Sequence, residues 1–165
     1  ASRGLGDVYK RQVLMMLAFT SMAAAAPSQV NRSMTAINAA KAEIPAVCEL
    51  VGYNVDGDTS IITFKDPNTL ERYVVDVNTA TAKVQEIEVK GATFVMGSTM
   101  VTKTPDDIEK IVLKNYPNAY EIVITQGQDG NNIYYIADFL TDKFDGELKL
   151  DPVTGAICER ELEYF

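Results

Sequence analysis

"GELKLDPVTGAIC" at residues 146–158 is the stretch on which the fold turns. A short alternating run ends at Asp151-Pro152, a glycine follows at 155, and a second run opens at once. That is a strand, a tight turn and a returning strand. The segment "NTATAKVQEIE" (residues 78–88) has the same layout as "DPVTGAICERE" (residues 151–161), sharing Thr81 with Thr154, Glu86 with Glu159 and Glu88 with Glu161. A turn that occurs twice prompts a search for a larger repeat.

The repeat extends upstream. "AEIPAVCELV" (residues 42–51) falls on "KNYPNAYEIV" (residues 114–123), with Pro45 on Pro117, Glu49 on Glu121 and Val51 on Val123. Ala36, Ala39, Ala40 and Ile44 fall on Ile108, Ile111, Val112 and Tyr116, which traces one apolar helical stripe in each copy. Asp56-Gly57 falls on Asp129-Gly130 after a one-residue slip. Each copy therefore reads as a helix followed by an antiparallel meander.

The boundaries follow from turn and cap chemistry. In copy two, Thr104 caps the helix, Pro105 takes its first position, and Asp106 and Asp107 complement its dipole. Pro117 bounds that helix near Tyr116. In copy one, Ser33 is the expected cap and Pro45 the stop. Strands are expected at 46–53, 59–65, 70–77 and 84–89, then at 119–126, 132–140, 147–150 and 156–164. The expected fold class is α+β, two repeats, each with one helix packed on a four-stranded antiparallel sheet. Repeat one covers residues 30–90, residues 91–103 link the two, and repeat two covers residues 104–165. Phe94, Val95, Met96 and Val101 mark the connection as one that packs against something.

"RYVVDVNTATAKV" (residues 72–84) and "GELKLDPVTGAIC" resemble the hydrophobic-x-V/L-D-x-x-T-G-x-V signature of PepSY domains. Asp151, Thr154 and Gly155 match in the second copy, whereas the first has Asn78 and Ala82 in place of the aspartate and glycine. From about Ser33 to Tyr164 the chain resembles two tandem PepSY or PepSY-like units. The resemblance implies small α+β units of bacterial exported proteins, also found in propeptides of secreted metallopeptidases, where restraint of the peptidase is the proposed role. A related PepSY-like family is compared with β-lactamase-inhibitor proteins in architecture only.

The start of the chain is set apart. "SRGLGDVYKRQ" at residues 2–12 reverse-translates to a string that resembles a transposase sequencing adapter, so residues 1–12 are excluded from fold reasoning as an artefactual translation. "VLMMLAFTSMAAAAP" (residues 13–27) reads as the apolar region and cleavage site of a secretory signal peptide, residues 13–25, with cleavage after Ala25. The apolar run is too short for a transmembrane span of roughly 20 residues. An exported protein, periplasmic or secreted from a bacterium, with no stable membrane anchor is the expectation.

Charge and composition narrow the function. Residues 1–25 carry Arg3, Lys10 and Arg11 against Asp7, so from a total of −8 the remaining 140 residues hold a net charge of −10. Such a chain repels nucleic acid and anionic lipid. With 47% hydrophobic residues it can bury a core rather than remain an acidic coil. Histidine is absent, which removes Ser-His-Asp and Cys-His catalysis and the commonest zinc ligand. No glycine-rich phosphate loop is present. Asp56, Asp58 and Asp129 lack the alternating carboxylates and distant glutamate of a calcium loop and read as hairpin chemistry. No catalytic residue, metal site or cofactor is expected.

The candidate site is a row of carboxylates. Glu86 and Glu88 alternate with Ile87 and Val89, and Glu159, Glu161 and Glu163 stand opposite Cys158, Leu162 and Tyr164. Such an acidic face either docks a basic partner surface or is the solvated side of a half-buried sheet. Tyr134 and Tyr135 put an aromatic ring on each face of one strand, one for the core and one, Tyr134, available as a partner anchor. Cys48, expected core-facing with Leu50, and Cys158 form either a disulfide between the copies or two buried thiols. The leading expectation is an exported, non-enzymatic binding protein that inhibits or modulates a secreted or periplasmic peptidase through a strand edge or sheet face. The rival is a periplasmic module that senses a ligand or peptide between the repeats.

Overall fold

The computed structural model describes residues 27–91 and 96–165. The stretches read as an adapter translation and an export signal lie outside them, as do Phe94 and Val95. Helix α1 (Pro27–Ala42) precedes strands β1 (Glu49–Asp56), β2 (Thr59–Lys65), β3 (Arg72–Asn78) and β4 (Val84–Lys90). Helix α2 (Pro105–Asn115) then precedes β5 (Tyr120–Asp129), β6 (Asn132–Leu140), β7 (Phe144–Leu150) and β8 (Ile157–Tyr164). The α+β class and this order of elements match the sequence expectation.

The expectation of two four-stranded sheets needs correction. All eight strands form one antiparallel sheet in the order β1-β2-β3-β4-β8-β7-β6-β5. β4 and β8 pair with Ile87 opposite Leu162 and Glu88 opposite Glu161. Each would otherwise be the unpaired edge of a smaller sheet, and joining them satisfies both rows of backbone donors and acceptors.

The shared turn explains why the two meanders close alike. Asn78 Oδ1 accepts from the Ala80 and Thr81 amides and from the Thr81 hydroxyl, at 3.1, 2.9 and 3.0 Å. Asp151 Oδ1 accepts from Val153, Thr154 and the Thr154 hydroxyl, at 3.0, 2.7 and 2.9 Å. The chain then passes through a left-handed residue, Ala82 at φ 53° in one turn and Gly155 at φ 76° in the other. Asparagine thus replaces aspartate without loss of the turn, since both offer the same acceptor oxygen.

Both helices lie on one face of the sheet. Ala36, Ala40 and Ile44 of the first helical stripe and Ile108 and Val112 of the second are buried in a single cluster with Phe64, Val75, Ile87, Phe139, Leu148 and Leu162. α2 opens with Thr104 as the expected cap, and the structure adds a capping box, Thr104 and Asp107 each bonding the other's backbone amide. α1 starts earlier than expected, so Ser33 lies inside it rather than capping it. Pro27 suits a first-turn position, and no residue between it and Ser33 breaks a helix. The connection is tied down where it is described. Ser98 and Ile133 exchange backbone hydrogen bonds of 2.9 and 2.8 Å, and Thr102 and Lys103 both donate to the Pro152 carbonyl.

The helices do not cover the sheet evenly. α1 packs on β2 and β3, α2 on β5 and β6. The inward sides of β4 and β8 lie under a gap between the helices. At the sheet edge, Leu50 is exposed rather than core-facing and Tyr120 is exposed as well, while Cys48, just before β1, is buried.

Candidate functional site

The helix-free face of the sheet gathers the acidic residues. Strand alternation puts Tyr73, Val75, Ile87, Val89, Leu148 and Leu162 inward, so their neighbours point outward. The β4–β8 pairing then assembles one row from Asp76, Glu86, Glu163 and Asp145, each opposite the next on adjacent strands. A second row holds Glu88, Glu161, Glu147 and Asp138. Directly opposed side chains on adjacent strands stand about 5 Å apart. Two rows of carboxylates thus cross the middle of the sheet.

A third row has the opposite character. Arg72, Lys90, Glu159 and Lys149 lie side by side beyond the second row. Lys149 reaches Glu147 and Glu159, both at 3.5 Å, and Lys90 reaches Glu88 at 2.7 Å. The face is therefore polar along the strands, acidic at one end and cation-bearing at the other.

The rows change how these groups titrate. Burial raises the Glu161 carboxyl above its ordinary value, and the charges of Glu86, Glu147 and Glu88 raise it further against a smaller pull from Lys149. Asp138 is raised by burial, Glu147 and Asp145. Burial pulls the Lys149 ammonium down, but Glu159 and Glu147 more than offset it and leave it raised. Crowded like charges resist ionisation, so the face holds its charge at a cost that an incoming cation would relieve.

Of the residues read from sequence, Glu86, Glu88, Glu159, Glu161 and Glu163 come together on this face. The reading missed Asp76, Asp138, Asp145 and Glu147. Each alternates with buried residues in its own strand, but only the strand order brings them beside the glutamates. Tyr134 shares the face and is half-buried, yet the cation-bearing row separates it from the carboxylates. Tyr135 is in the core, its hydroxyl donating to the Lys103 carbonyl at 2.8 Å. Cys48 and Cys158 are free thiols, one buried and one half-buried. Among the described residues no three carboxylate or thiol side chains converge to hold a metal ion.

The opposite face carries a groove of about 370 Å³ in the gap between the helices. Its floor is Ile87, Val89 and Leu162, its walls include Tyr73, Tyr116, Phe144 and Tyr164, and Glu43, Asn115 and Arg160 complete the lining. Arg160 Nη1 donates to Glu71 Oε1 at 3.3 Å, and the Tyr73 hydroxyl donates to Glu71 Oε2 at 3.0 Å. Arg160 is the functional-looking residue that the sequence reading passed over. Alternation with Glu159 and Glu161 points it inward, beside Cys158 and Leu162.

No protein-family model matches the chain, and no curated protein does. Two solved structures are similar to parts of it. One is a candidate lipoprotein from Clostridium difficile 630, 18% identical, covering 78% of this chain and 90% of its own, with a TM-score of 0.32. The other is a BLIP-like protein from Bacteroides fragilis NCTC 9343, 11% identical, covering 79% of this chain and 85% of its own, with a TM-score of 0.34. Likenesses at this level carry no argument about role. No helix among the described residues is long and apolar enough to cross a membrane.

Proposed function

We propose that this chain is an exported, non-enzymatic binding module whose helix-free sheet face docks on a basic surface of a partner protein. The observation that carries the reading is the pair of carboxylate rows, Asp76-Glu86-Glu163-Asp145 and Glu88-Glu161-Glu147-Asp138, brought together by the β4–β8 pairing. Such a face speeds encounter with a cationic surface, and the third row restricts the orientations in which it can dock. Restraint of a secreted or periplasmic peptidase is the role that the PepSY resemblance adds, with the acidic face laid against the enzyme. The export signal read at residues 13–25 supports the compartment.

Affinity capture tests this. Residues 26–165 and a variant carrying Glu88→Lys and Glu161→Lys are immobilised in parallel and exposed to exported bacterial proteins. A partner retained by the natural chain, lost from the variant and released by moderate salt supports docking through the face. If that partner is a peptidase whose activity falls as the chain is titrated in, the restraint role is supported as well. Equal retention by both chains would exclude the acidic face as the docking surface.

A further inference from the structure

We infer that the groove between α1 and α2 binds a small monocarboxylate with an apolar, preferably aromatic, body. This site lies on the opposite face from the carboxylate rows and does not depend on their role.

A charge stands at a position where the fold calls for an apolar residue. The alignment that sets Glu86 on Glu159 and Glu88 on Glu161 also sets Ile87 on Arg160 and Val89 on Leu162. Three of these four inward positions, Ile87, Val89 and Leu162, are buried hydrophobics. The fourth is an arginine, paired across β4 with Val89 and across β7 with Leu148, both core residues. A guanidinium among such neighbours carries a desolvation cost that an alkyl side chain would avoid.

Its surroundings hold it in place. Glu71 accepts from Arg160 and also from the hydroxyls of Thr69 and Tyr73, at 3.1 and 3.0 Å. Glu71 thus forms an ion pair with Arg160 and takes two neutral hydroxyl donors besides, which makes it a positioning residue for the guanidinium. The bond to Glu71 runs from Nη1, and a planar fork of N–H donors is suited to a carboxylate.

The rest of the groove fits the body of such a molecule. Phe144 lies 5.4 Å from Tyr164 and 6.0 Å from Tyr116, centroid to centroid, giving an aromatic wall over the apolar floor. At about 370 Å³ the space is at the small end of ligand sites. The carboxylate in the lining, Glu43, accepts from the Tyr164 hydroxyl at 3.1 Å. The groove therefore offers rings and a guanidinium to a ligand of one ring and one acid group.

The test compares three probes that share a body and differ in head group: 3-phenylpropionate, 3-phenylpropionamide and 3-phenylpropylamine. Binding to the full chain is followed by ligand-observed NMR and by tyrosine emission, which no tryptophan obscures. The carboxylate is expected to bind with a Kd of about 1 mM, the range reached by a ligand of this size. It should bind roughly tenfold more tightly than the amide, through the charge-assisted bond. In Arg160→Gln that preference should vanish while amide binding persists. Arg160→Lys, which keeps the charge without the fork, should retain part of it. Equal binding of acid and amide by the natural chain, preference for the amine, or no binding of any probe would overturn the inference. None of those results bears on capture of a protein by the opposite face.

Discussion

At the scale of single residues, the two turns form a natural experiment in backbone strain. Both end in a left-handed residue, but only one of them is glycine. A residue with a Cβ is held there at roughly 1–2 kcal/mol above its preferred conformation, partly offset by the extra freedom glycine has when unfolded. Ala82→Gly should therefore raise stability by about 0.5 kcal/mol, read from the urea midpoint. The reverse change, Gly155→Ala, should cost about 1–2 kcal/mol. The added Cβ there would also stand 2.5 Å from Ile111 Cδ1. A midpoint lowered by Ala82→Gly would show that the side chain's contacts outweigh the strain. Residues of this kind are legible in sequence because their chemistry is local, as with Asp151, Thr154 and Gly155. Arg160 was equally legible by alternation, but a charge between Cys158 and Leu162 runs against the rule that inward positions are apolar.

At the scale of elements, local signals set the helices and strands, and tertiary packing sets their neighbours. The start of α2 is readable from Thr104, Pro105, Asp106 and Asp107 alone, and the structure closes Thr104 and Asp107 into a capping box. Asp107 is held below its ordinary carboxylate value by the Thr104 amide and hydroxyl, as a capping role requires. Thr104→Ala should destabilise the protein by about 1 kcal/mol, measured by urea unfolding followed by circular dichroism. Thr104→Ser, which keeps the acceptor oxygen, should cost much less. An alanine variant as stable as the natural chain would mean that the α2 packing of Ile108 and Val112 fixes the end without the cap. The pairing of β4 with β8 had no comparable local signal. Their sequences mark both as strands of alternating character, but nothing in either names its partner. That missing pairing is why the glutamates of the two copies do not read as continuous rows from sequence. Asp76, Asp138, Asp145 and Glu147 join those rows through the register within each meander, which strand assignments alone do not give.

For the whole molecule, one sheet and one core imply one folding unit. The buried cluster draws on both helices and on strands from both halves, and Leu162 of the second half packs across the seam beside Ile87 of the first. Thermal and urea unfolding should each show a single transition, coincident by far-ultraviolet dichroism and by tyrosine signal. Leu162→Ala should shift that transition by about 2–4 kcal/mol without splitting it. Two transitions would show that the halves fold independently and that the seam is only a contact.

The same molecule should be most stable in mild acid, because its carboxylates pull in two directions. Glu161 and Asp138 are raised from 4.5 and 3.8, so folding favours their protonated forms. Their contribution is complete below those unfolded values and is lost as pH rises through the folded ones. Asp107 and Asp151 are lowered from 3.8, so what they contribute is present above that value and lost as pH falls below it. Stability should therefore climb as the lowered carboxylates ionise in acid and decline again as pH rises past the ordinary carboxylate range and Glu161 and Asp138 ionise. Added salt should recover part of the decline, since it screens the like charges of the two rows. Glu161→Gln removes the group that faces Glu88 on one side and Glu147 on the other. It should flatten the descent above the ordinary carboxylate range while leaving the acid limb in place. A Glu161→Gln curve that falls as steeply as that of the natural chain would mean that the rows do not strain the fold, and that their charge is carried without cost in the absence of a partner.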